Sequence, residues 1–90
     1  LSITEERLPA GHVNIAVALT RLAEIYSERE RKNDAEQLYR RAYDIFEKAD
    51  PGSVDAAHAL NNLGLVTADT GRIGEAEEFY NRAIERYQKL

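Results

Sequence analysis

At 90 residues, with 43% hydrophobic and 31% charged residues, the chain has the size and composition of one small folded domain and not of a disordered segment. Its net charge of −4, with basic residues interleaved among acids as in Glu28-Arg29-Glu30-Arg31-Lys32, argues against a nucleic-acid partner, which needs a basic patch. The absence of cysteine excludes disulfides, thiolate metal sites and cysteine nucleophiles and leaves the redox compartment open; no apolar run approaches the ~18 residues that span a bilayer, so no membrane partner is expected.

The chain opens on Leu1, inside a pattern already under way, and is expected to be a piece of a longer protein. Leu1 to Leu8 read as the end of a helix, closed by the break Pro9-Ala10-Gly11. A first full helix is predicted over about Val13 to Glu28, where Ile15, Leu19, Leu22 and Tyr26 recur at steps of three and four and mark the inner stripe. A second is predicted over about Asp34 to Lys48, with Ala35, Leu38, Tyr39, Ala42 and Phe46 inward; Asn33 is the expected N-cap and Glu36 its capping-box partner. Asp50-Pro51-Gly52 breaks the chain again. Ser53 then caps a third helix over about Val54 to Asp69, with Ala56, Ala59, Leu60, Leu63 and Val66 or Thr67 inward. Gly71 suits a left-handed cap before a fourth helix, about Glu75 to Lys89, with Ala76, Phe79, Tyr80, Ala83 and Tyr87 inward.

The four segments are one pair written twice. Shifting the chain by 41 residues aligns Leu19 to Lys48 with Leu60 to Lys89 without a gap. Leu22 meets Leu63, Arg31 meets Arg72, Ala35-Glu36 meets Ala76-Glu77, Tyr39 meets Tyr80 and Ala42 meets Ala83. A period in this range signals stacked supersecondary units. Short breaks force antiparallel neighbours, and the alanines allow close backbone approach while Leu22, Tyr39, Leu63 and Tyr80 fill the space between. All five tyrosines (Tyr26, Tyr39, Tyr43, Tyr80 and Tyr87) are read as core, and the i,i+4 pairs Glu36–Arg40, Asp44–Lys48, Glu78–Arg82 and Glu85–Lys89 as surface staples worth about 0.2–0.5 kcal/mol each. The fold class is therefore all-α, a solenoid of antiparallel helix pairs. Residues 1–10 form the tail of a preceding pair, 11–50 the first repeat and 51–90 the second.

Ala59-Leu60-Asn61-Asn62-Leu63-Gly64, then Gly71-Arg72 and Glu75-Ala76-Glu77-Glu78-Phe79-Tyr80-Asn81-Arg82-Ala83-Ile84, resemble a tetratricopeptide repeat. The "ALNNLG" wording, the long period and the lead-in Glu5 to Ala16 are similar to the kinesin light chain variety. The chain departs from the family pattern at Thr67 (an aromatic position), at Ala23 (a glycine position) and at Glu30 (the turn glycine). The resemblance implies a right-handed superhelix with a concave groove that binds a peptide or partner protein. Its groove-lining sites match Val17, Thr20, Arg21, Glu24, Ser27 and Glu28 in the first repeat, and His58, Asn61, Asn62, Leu65, Ala68 and Asp69 in the second. Asn62 can offer a peptide backbone both donor and acceptor. Arg21 can meet a carboxylate or phosphate, or else pair with Glu24 or Glu28. The clamp that holds chaperone C-termini is not expected, because Thr20 and Glu24 stand where it needs a lysine and an asparagine. Glu24, Glu28 and Asp69 instead favour a basic or neutral ligand segment.

No catalytic chemistry and no cofactor is expected. His12 and His58 lie on different helices with no carboxylate at ligand spacing, so no metal site follows. Ser2, Ser27 and Ser53 stand in no nucleophile motif, and no Lys-Ser or Lys-Thr follows the glycines to form a phosphate loop. The alternative function is structural. Repeat arrays usually need about three units and polar end caps, so exposed repeat ends could drive a homodimer or a domain swap.

Overall fold

In a computed structural model, which describes residues 10–90, four helices follow one another: α1 (Ala10–Glu28), α2 (Lys32–Ala49), α3 (Val54–Asp69) and α4 (Ile73–Gln88). The expected helical tail over residues 1–10 lies, apart from Ala10, outside the described residues. Ala10 and Gly11 belong to α1 and not to a break. A single glycine costs a helix only about 1 kcal/mol relative to alanine and does not end it. Each helix packs on the next in the chain: α1 on α2, α2 on α3, α3 on α4. The result is an elongated slab, 42 × 29 × 17 Å.

The turns inside the two helix pairs are built alike. Arg31 N donates to Tyr26 O (2.8 Å) and Glu30 N to Ser27 O (3.2 Å); 41 residues on, Arg72 N donates to Thr67 O and Gly71 N to Ala68 O, both at 3.0 Å. Both are Schellman closures, which need a left-handed residue just past the helix. Gly71 supplies it at φ 87°, and in the first repeat Glu30 is held there at φ 66°. Between the pairs, Ser53 caps α3 as expected, its Oγ accepting from Ala56 N at 3.1 Å.

Asn33 is not a cap. The tight first turn delivers Arg31 as the N-cap of α2, which places Asn33 inside the helix. Asp34 holds the Arg31 side chain, with Nε–Oδ2 at 2.9 Å. Glu36 does not reach back to close a capping box, because it faces the next repeat. There it accepts from Arg72 and, within its own helix, from Arg40 at 2.8 Å. Of the four expected i,i+4 staples, only Glu36–Arg40 forms among the described residues. Arg82 turns instead to the Tyr43 hydroxyl at 3.0 Å, and Arg86 to Glu47 at 2.9 Å and Pro51 O at 2.8 Å. These contacts tie α4 back to the first repeat.

The core is paved with small residues. Ala16, Ala42, Phe46, Ala56 and Ala59 form one cluster, and Ala23, Ala35, Tyr39, Leu63 and Val66 a second. Thr67, at the family's aromatic position, is fully buried, and its hydroxyl is satisfied by Leu63 O (2.8 Å) and Gly64 O (3.1 Å) in its own helix. Three inward assignments fail. Ile15 and Leu22 are 49% and 40% exposed, and Tyr87 is 39% exposed. The helical period is right, but the stripe needs a helix on both sides. α3 is packed closely by two helices, α2 and α4, whereas among the described residues the main neighbour of α1 is α2 and that of α4 is α3. Tyr26, Tyr43 and Tyr80 are half-buried, so of the tyrosines only Tyr39 is buried.

Glu36 is a buried carboxylate, and burial alone would raise its pKa. Hydrogen bonds from Arg72 and Arg40, with their charges, outweigh that and hold it below the 4.5 of a free glutamate. A carboxyl with a depressed folded pKa stabilises the fold fully above its unfolded value, and that contribution fades as pH falls through the folded value. The stability advantage of the wild type over Glu36→Gln is therefore expected to be largest at neutral pH and to shrink below about pH 4.5, as read from urea denaturation across that range.

Candidate functional site

The stacking leaves a cleft between α1 and α3. It is lined by Val17, Thr20, Arg21 and Glu24 from α1 and by Asp55, His58, Ala59 and Asn62 from α3, with Phe46 of α2 as its floor, and encloses about 230 Å³. That is below the roughly 300–1,000 Å³ of sites that enclose a small molecule. It suits one or two side chains of a larger partner.

Six of the residues expected to line a groove meet here: Val17, Thr20, Arg21, Glu24, His58 and Asn62. Glu28, Asn61, Leu65 and Asp69 do not line this cleft, and neither do Ser27 and Ala68. Leu65 is an exposed apolar side chain further along α3. Asp69 sits 3.7 Å from Lys32 Nζ, which also donates to Ser27 O at 3.2 Å. One lysine thus offsets the Asp69 charge at the far end of the two helices. The acidic character expected of Glu24, Glu28 and Asp69 rests in the cleft on Glu24 and Asp55, with Arg21 as the single guanidinium.

Each polar group in the cleft has a definable availability. Thr20 Oγ1 donates to Ala16 O at 2.9 Å, so its hydroxyl proton is occupied within α1. His58 Nδ1 lies 3.2 Å from the Tyr87 hydroxyl, which anchors the imidazole against α4. Neither Arg21 nor Asn62 makes a side-chain hydrogen bond or ion pair among the described residues, so the alternative of an Arg21 pair with Glu24 or Glu28 is not realised. Asp55, Ala59 and Phe46 went unrecognised as lining residues. Asp55, His58 and Asn62 stand at i, i+3 and i+7, one face of a helix, so Asp55 was within reach of the periodicity. Phe46 reads as core in any sequence, and it is core, with only its edge reaching the cleft floor.

A family model described as tetratricopeptide repeat matches residues 1–48 and again residues 14–89. The chain belongs to the tetratricopeptide repeat family. The two matches end at the close of α2 and of α4, and together they span residues 1–89. A comparison with curated proteins finds no match. Tetratricopeptide repeats are in general protein-interaction modules and not catalysts. The described residues contain no group of three or more histidine, cysteine, aspartate or glutamate residues that could hold a metal ion, and no helix long and apolar enough to cross a membrane.

Proposed function

We propose that this tetratricopeptide chain holds an extended peptide segment of a partner protein in the α1–α3 cleft. The carrying observation is the cleft itself, whose lining gathers an uncommitted Asn62 amide with Glu24, Asp55 and Arg21 around an apolar floor. Asn62 hydrogen-bonds the peptide backbone, which gives affinity with little dependence on sequence. Glu24 and Asp55 select a basic side chain, and Phe46 and Val17 take its aliphatic stem.

Peptides selected by display against the wild-type chain test this. They are expected to share a lysine or arginine. By fluorescence anisotropy they should bind Glu24→Arg about tenfold or more weakly, since a charge-assisted bond contributes about 1.5–3 kcal/mol, and Asn62→Ala about two- to tenfold more weakly, since a neutral hydrogen bond contributes about 0.5–1.5 kcal/mol. Both sites border solvent, so helicity by circular dichroism should be unchanged. Equal binding to wild type and both variants would refute the cleft as the site.

A further inference from the structure

The two repeats differ in kind at one matched pair of positions beside the cleft. In the first repeat Val17 of α1 packs against the cluster that holds Phe46 of α2, and both are apolar lining of the cleft. Forty-one residues on, both positions are polar: His58 stands for Val17 and Tyr87 for Phe46, and the Tyr87 hydroxyl lies 3.2 Å from His58 Nδ1. Valine and phenylalanine meet the needs of packing at this place, so the imidazole and the hydroxyl are surplus to the fold. His58 is exposed and lines the cleft on the same face of α3 as Asn62.

The hydrogen bond decides which ring nitrogen carries the proton. A phenol is the stronger acid and a neutral imidazole nitrogen the stronger base, so the Tyr87 hydroxyl donates to Nδ1. The ring proton then resides on Nε2, which makes no hydrogen bond among the described residues. His58 thus offers the cleft a donor of fixed identity. Asn62 stands four residues on, about 6 Å along α3 at roughly 1.5 Å per residue. An extended peptide advances about 6.6 Å in two residues and turns the backbone groups of alternate residues to the same side. The two spacings match.

We infer that His58 is a second reader of the peptide backbone beside Asn62, and that Tyr87 is its positioning residue. The ligand is an extended segment lying along α3. Nε2–H of His58 donates to the carbonyl of one residue, and the Asn62 amide meets the backbone of the residue two further along. This rests on peptide binding in the α1–α3 cleft and adds to it the line the peptide follows and the spacing of the backbone groups it must present.

The test is anisotropy with a selected lysine- or arginine-containing peptide at about pH 8, where free imidazole is neutral. His58→Leu and Tyr87→Phe should each bind about two- to tenfold more weakly, the effect of one neutral hydrogen bond. His58→Gln should stay within about twofold of the wild type, because its terminal amide places an N–H where Nε2 stands, and adding Tyr87→Phe to it should change nothing further. In the free chain, ¹⁵N spectroscopy of the His58 imidazole should find the proton on Nε2, and a mixture of tautomers in Tyr87→Phe. Esters replacing single peptide bonds of the ligand, which weaken the carbonyl as acceptor, should reduce binding at two places two residues apart, one of them insensitive in His58→Leu. Weaker binding to Glu24→Arg with undiminished binding to His58→Leu and Tyr87→Phe would overturn the inference and leave the cleft standing. A proton found on Nδ1, or a Tyr87→Phe loss that persists in full beside His58→Gln, would also overturn it.

Discussion

Leu63→Ala is expected to cost about 2–5 kcal/mol, whereas Leu22→Ala, the same change at the matching place of the first repeat, should cost less than about 1 kcal/mol. Leu63 is 1% exposed and packs in the cluster of Ala23, Ala35, Tyr39 and Val66, with Phe79 against it. Truncating it removes transfer free energy and leaves a cavity that closely packed helices cannot fill. Leu22 is 40% exposed, so its truncation leaves no enclosed void. A small domain of this kind has only about 5–15 kcal/mol of stability, and each 1 kcal/mol shifts its Tm by roughly 4–8 °C. Leu63→Ala should therefore melt at least about 10 °C lower, and Leu22→Ala within a few degrees of the wild type. Denaturation followed by circular dichroism measures both. Equal losses would mean that α1 is packed on both faces as α3 is, contrary to the fold described.

Gly64→Val should be the second costly change, and for the opposite reason. A Cβ at position 64 would lie 2.8 Å from both Cδ1 and Cε1 of the Tyr80 ring. That is closer than carbon atoms approach, so the ring or the helix must shift, at an overpacking cost of about 1–3 kcal/mol. Alanine there would regain up to about 1 kcal/mol of helix propensity, but valine regains less and adds two more carbons to the clash. The first repeat carries Ala23 at this position, opposite Tyr39. The two interfaces are therefore not interchangeable in detail. Combining Gly64→Val with Tyr80→Leu should cost less than the sum of the two single changes in a double-mutant cycle. Strict additivity would show that the ring is not what meets the new side chain.

How far the sequence could be read depends on what each residue needs. The 41-residue echo concerns packing residues, whose identity is set by neighbours present in both repeats: Ala35 and Ala76, Ala42 and Ala83. Those were legible, and with them the order and pairing of the helices. Ile15, Leu22 and Tyr87 were not, because periodicity reports which way a side chain faces and not whether anything faces it. Asn33 does not cap α2, because a good capping residue does not decide where the preceding turn delivers the chain. In the cleft, the α1 face from Val17 to Glu24 was recognisable by family resemblance. Asn61, Leu65 and Asp69 lie outside this cleft because the face of α3 that borders it carries Asp55, His58 and Asn62.

The central claim is that a partner peptide occupies the α1–α3 cleft, and amide chemical-shift mapping tests it most directly. The ¹⁵N-labelled chain would be titrated with a selected lysine- or arginine-containing peptide. Shifts concentrated at Val17, Arg21, Glu24, Asp55, His58 and Asn62, with the side-chain amide of Asn62 among those that move furthest, are the predicted result. Shifts confined to α4, or to the exposed apolar face of Ile15, Leu22 and Ile25, with the cleft amides unmoved, would contradict it.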